Sequence, residues 1–109
     1  MTIYGAIDGL VMREGLPVRF HVPTRSVSLV GDSLALVVET ARPGEKNLLV
    51  LGPAGDELVR LGTTCATGYI DQVLEIAGEI RVIEATRHGD YQARLDLDSL
   101  TLERVGEWR

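Results

Sequence analysis

Leu95-Asp-Leu-Asp-Ser-Leu-Thr-Leu-Glu-Arg-Val105 (LDLDSLTLERV) changes its apolar parity part-way along. Leu95 and Leu97 hold odd positions, with Asp96 and Asp98 between them. Leu100 and Leu102 hold even positions, with Thr101 between them. Successive side chains of a strand point to opposite faces. One uninterrupted strand would therefore turn its second pair of leucines away from the core. A β-bulge at Asp98-Ser99 removes the conflict, because one extra residue re-aims the side chains and sharpens the bend. On this reading the stretch is the closing strand of a small barrel, bent so that it serves two neighbours. All four leucines then face one core. Asp96 and Asp98 form a solvated edge that discourages pairing with other chains.

The same strand rhythm runs through most of the chain. Thr2–Met12 is β-rich, and its Gly5 and Gly9 mark bends. Gly15-Leu-Pro17 reads as a turn. Val18–Val22 alternates, with Val18, Phe20 and Val22 opposite Arg19 and His21. Ser26–Val30, Ser33–Thr40 and Leu48–Leu51 are further strands, and Ala41–Asn47 is a polar, turn-rich loop. Pro53–Leu61 has acidic residues early, Arg60 late, Gly62 after its end, and Leu58 and Leu61 three apart. These are the signals of a short helix. Val73–Ala85 alternates as one strand, with Leu74, Ile76, Gly78, Ile80 and Val82 on one face. Arg87–Asp90 is a hairpin turn.

Composition bounds the class. The chain has 109 residues, the size of one domain, and 45% of them are hydrophobic, enough to fill a core. No apolar run approaches the length of a membrane span, and no secretory leader is visible. Cys65 is the one cysteine, so an internal disulfide framework is excluded. A reduced, cytoplasmic protein without membrane contact is expected. The net charge is −5. It falls entirely in residues 56–109, which carry six basic and eleven acidic groups, whereas residues 1–55 balance to zero.

The element order is several strands, one short helix, then a final hairpin. This layout and its local motifs resemble the bacterial single-stranded-DNA-binding proteins and the primosomal replication proteins of the same fold. Leu48-Leu-Val-Leu-Gly52 is similar to the family's apolar strand ending in glycine, and Asp56–Leu61 to its helix. Ile76-Ala-Gly-Glu-Ile80 is similar to the following strand, and Leu97-Asp-Ser-Leu100 to the terminal element. The resemblance covers residues 33–105. It departs at Gly62–Gln72, which is longer than the family's lysine-containing link, and it lacks the acidic partner-recruiting tail. The implied fold is an all-β, five-stranded OB-type Greek-key barrel spanning 1–109 as one domain, with its helix before the last hairpin. The implied function is non-catalytic binding of single-stranded nucleic acid, DNA rather than RNA, in replication, recombination or repair. A homo-oligomer, a dimer or tetramer, goes with it.

Single-strand binders combine a cationic groove with aromatic platforms, and the N-terminal half holds the candidates. Arg19 and His21 share a face, Arg13 and Arg25 flank them, and Arg42 and Lys46 stand in the polar loop. Tyr4 is either a stacking platform or core. The competing reading takes these cations as ordinary surface charge on a barrel that binds protein instead, and the acidic balance favours it. No enzyme is expected. His21 and His88 lack ligand spacing, so no metal or other cofactor is implied. Cys65 has no base beside it in the sequence, and no nucleophile elbow appears.

Overall fold

Leu95–Leu102 folds back on itself. In the computed structural model, which describes residues 2–5, 10–13, 16–19, 24–30, 34–52, 56–65 and 67–108, Leu95 lies opposite Leu102 and Asp96 opposite Thr101. Residues 97–100 are the loop of a hairpin. Asp96 Oδ1 accepts the backbone N–H groups of Asp98 (2.8 Å) and Ser99 (3.1 Å). The Leu100 N–H reaches the Asp96 carbonyl at 2.8 Å, and Leu100 takes a left-handed φ of 55°. The expected bulge at Asp98-Ser99 is therefore a reversal of the chain. The parity change has a simple cause. Across a hairpin with an even number of loop residues, an odd position faces an even one.

Eleven strands are present among the described residues: β1 (Thr2–Gly5), β2 (Leu10–Arg13), β3 (Leu16–Arg19), β4 (Thr24–Val30), β5 (Leu34–Glu39), β6 (Leu48–Leu51), β7 (Glu57–Leu61), β8 (Tyr69–Ile76), β9 (Glu79–Thr86), β10 (Gly89–Asp96) and β11 (Thr101–Glu107). They form two four-stranded antiparallel meanders, β4 to β7 and β8 to β11. β1 adds to the β4 edge of the first, and β2 pairs with β3 alone. The two meanders share no strand and neither closes on itself, so the fold is a sandwich and not the expected five-stranded OB-type Greek-key barrel.

The parity rule recurs in the second meander. Val73–Ala85 is two strands around the turn Ala77-Gly78, where both residues have positive φ (51° and 78°). Positive φ at both central positions matches the right-handed twist of the paired strands. Val73 and Val82 consequently share the core face, and Leu74 and Ile76 do not. The hairpin turn at Arg87-His88 is present between β9 and β10.

The expected helix at Pro53–Leu61 is not formed where the chain is described. Pro53–Gly55 lie outside the described residues, and Glu57–Leu61 is β7. Val59 and Leu61 alternate toward the core, opposite Val50 and Leu48 of β6. The three-residue spacing of Leu58 and Leu61, which suggested a helix, has another origin. Leu58 falls where the register slips against Val50-Leu51 and is 45% exposed.

Leu36, Val38, Leu48 and Val50 of the first sheet meet Ile70, Val73, Ile80, Val82, Ala93 and Leu95 of the second. Each fully buried aliphatic side chain here contributes about 1.5–3 kcal/mol. The alternate residues of β5 and β6, Ala35, Val37, Leu49 and Leu51, are also buried, with Val27, on the opposite face of the first sheet. Burial on both faces explains why β5 and β6 are continuous apolar runs, while the outer strands alternate. One polar side chain stitches the layers. Asn47 is buried; its Nδ2 donates to the Glu39 carbonyl (3.0 Å) and the Ile70 carbonyl (2.7 Å), and its Oδ1 accepts the Ile70 N–H (2.8 Å). It acts as one residue of a strand laid along the edge of β8.

Candidate binding cleft

The Thr40–Asn47 loop, the 62–68 link and the turn between β9 and β10 meet at one end of the sandwich. The Gly44 N–H donates to the Gly68 carbonyl at 2.9 Å and holds the loop to the link. Gly68 is there because the backbone passes very close: a Cβ at this position would stand 2.7 Å from the Ala85 carbonyl oxygen. Beside this crossing opens a cleft of about 740 Å³ lined by Pro43, Thr67, Tyr69, Ala85, Thr86, Arg87 and Asp90. That volume suits a small ligand or a few residues of a peptide.

A buried polar network lies next to the cleft. Glu84 adjoins Ala85 and is fully buried. It shares the core-facing parity of Ile80 and Val82, and a carboxylate in that position needs donors. It receives the N–H and hydroxyl of Thr64, the hydroxyl at 2.8 Å, and the Arg104 Nε at 3.4 Å. The Arg104 guanidinium also stacks over the Tyr91 ring, 4.0 Å from its centre. Tyr91 is therefore committed to packing. The Cys65 Sγ lies 3.3 Å from the Thr67 hydroxyl. That hydrogen bond, with the Thr67 backbone N–H and the nearby Arg104 charge, holds the thiol below its ordinary pKa.

The charges divide unevenly. Arg60 is bound to Glu39 and Glu57, and the Glu39 carboxylate holds its pKa above the ordinary value. Arg81 pairs with Glu79 (2.7 Å) and donates to Gln92 (2.6 Å); Arg94 pairs with Glu103 (3.0 Å). Arg81 in turn keeps the Glu79 carboxyl below its ordinary pKa. Arg104 is taken by Glu84. Of the arginine and lysine side chains that are described, Arg42, Lys46 and Arg87 have no carboxylate partner. Asp90 likewise has no bonded side-chain partner there.

Of the sequence-derived nucleic-acid candidates, Arg42 and Lys46 are the two whose side chains are described. Arg42 and Lys46 are exposed in the Thr40–Asn47 loop. Arg13 and Arg19 stand at opposite ends of the β2–β3 pairing, opposite Leu16 and Leu10. Arg25 lies in β4 at a register shift, and Tyr4 lies opposite Val27. For these four only the backbone is described, and His21 lies outside the described residues. The cleft residues are not adjacent in the sequence: they come from three segments 16 or more positions apart. Their visible signal is turn chemistry, at Pro43-Gly44, Gly68 and His88-Gly89.

Among the described residues no group of three or more histidine, cysteine or carboxylate side chains converges as a metal site. No helix there is long and apolar enough to cross a membrane. No family model matches the chain, and neither the curated proteins nor the solved structures give a match.

Proposed function

We propose that the chain is a non-catalytic protein-interaction module. The observation that carries this is the pairing of Arg60, Arg81, Arg94 and Arg104 with carboxylates. Four of the described arginines are occupied by carboxylates of the same chain. A surface of mixed, locally neutralised charge with a net −5 suits recognition of another protein. A polyanion needs unpaired Lys and Arg to displace its counterions. The single-strand-binding expectation also drew on a barrel layout, and the sandwich removes that support. The test is an affinity purification of the tagged chain beside an anisotropy titration with labelled oligo-dT at low salt. A stoichiometric protein partner and no oligo-dT binding are expected. Saturable oligo-dT binding that Arg42→Glu and Lys46→Glu abolish would overturn the proposal.

That result would support the second reading, single-stranded nucleic-acid binding by a homo-oligomer. One observation favours it: Arg42 and Lys46 are exposed without a carboxylate partner in one loop, whose Pro43 lines the same cleft as the half-exposed Tyr69.

A further inference from the structure

We infer that the cleft between the Thr40–Asn47 loop and the β9–β10 turn binds a short extended peptide segment carrying an apolar side chain between a basic and an acidic one. This rests on the protein-interaction reading and names the site and the ligand chemistry. Arg87 and Asp90 both line the cleft, both are exposed, and both belong to the same hairpin. They form no ion pair with one another, whereas Arg60, Arg81, Arg94 and Arg104 each hold a carboxylate. The hairpin therefore presents one cation and one anion, held apart, to whatever enters.

Between and below them the lining is apolar or already satisfied. Pro43, Ala85 and the half-exposed Tyr69 supply contact area. The Thr86 hydroxyl donates to the Gly89 carbonyl (2.7 Å) and accepts the His88 N–H, so it is used within the turn. The Thr67 hydroxyl is engaged with Cys65. Few groups remain to read the many hydroxyls of a sugar. A phosphate ligand would meet the Asp90 carboxylate. A peptide whose acidic side chain meets Arg87 and whose basic side chain meets Asp90 satisfies both charges and covers the apolar floor.

The test uses the full ¹⁵N-labelled chain and three acetylated, amidated pentapeptides. Each has a central leucine, flanked by one aspartate and one arginine, by two aspartates, or by two arginines. The expected result is chemical-shift change confined to Thr67–Tyr69 and Ala85–Asp90, strongest with the mixed peptide. Arg87→Glu should weaken the mixed peptide about two- to fivefold, the size of one exposed ion pair, and make the doubly basic peptide the best ligand. Asp90→Lys should make the doubly acidic peptide the best ligand. No shift with any peptide, shifts elsewhere, or an unchanged preference in both variants would overturn the site. The broader reading survives such a failure if a protein partner cross-links to another surface. Both fall if oligo-dT alone perturbs these residues.

Discussion

Asn47→Ala is the perturbation that the sandwich feels most. The side chain makes three buried hydrogen bonds to the backbone, and its loss strands the Ile70 N–H, the Ile70 carbonyl and the Glu39 carbonyl. A buried polar group left unpaired costs about 1–3 kcal/mol, with carbonyls at the lower end, so the total is about 3–5 kcal/mol. That is a large share of the roughly 5–15 kcal/mol that holds a domain of this size. At about 4–8 °C per kcal/mol, the melting temperature should fall by roughly 12–40 °C. Urea unfolding followed by Trp108 fluorescence gives the number, with circular dichroism confirming a common transition. Asn47→Asp sharpens the reasoning. It keeps the acceptor for the Ile70 N–H but turns a carboxylate oxygen toward two carbonyls. Those acceptors favour the protonated form and raise the folded pKa of the new carboxyl. Relative to the parent, this variant should be least destabilised below the unfolded carboxyl value of about 4, and worse as pH rises through and above it. A loss under about 1 kcal/mol for Asn47→Ala, or no pH dependence for Asn47→Asp, would refute the stitching role.

Ala77→Asn should stabilise the chain by about 0.5–1 kcal/mol, because asparagine tolerates the positive φ that Ala77 adopts in its turn; urea midpoints check it. Gly68→Ala forces a Cβ against the Ala85 carbonyl oxygen and should both destabilise the chain and shift the amide resonances of the cleft-lining residues. Alkylation of Cys65 should have a pH midpoint below that of an ordinary thiol, and Thr67→Ala should move it upward. The Asp96 carboxyl is held below its ordinary pKa by the Ser99 and Asp98 N–H groups. Its contribution is therefore complete above the unfolded value and is lost as pH falls through the lower folded one. Asp96→Asn should flatten the acid side of the stability profile, read by denaturant midpoints between neutral and acid pH.

Strand content was legible because the apolar alternation is strong, and the Arg87-His88 turn was legible because turn residues mark it. Elsewhere two different events leave the same trace in a sequence. A bulge and an even-loop hairpin both flip apolar parity, and only partner strands tell them apart. LDLDSLTLERV and Val73–Ala85 each carry that ambiguity, and each is a hairpin. β7 misled differently, since its register slip at Leu58 imitates helical spacing. Glu84 shows another limit. In sequence it is a surface-like carboxylate beside alternating aliphatics, yet it is fully buried because Thr64 and Arg104, both 20 positions away, supply its donors. The unpaired Arg87 and Asp90 were also invisible as a pair, because they stand out only against the carboxylate partners of Arg60, Arg81, Arg94 and Arg104.

The most direct measurement is the pattern of backbone nuclear Overhauser effects along Leu95–Val105. A second meander closed by a hairpin predicts cross-strand contacts from Leu95 to Leu102 and from Asp96 to Thr101, together with contacts from Ala93 to Val82. A continuous strand through Asp98-Ser99, with Leu95 and Leu102 showing no mutual contact, would contradict the sandwich and restore the barrel.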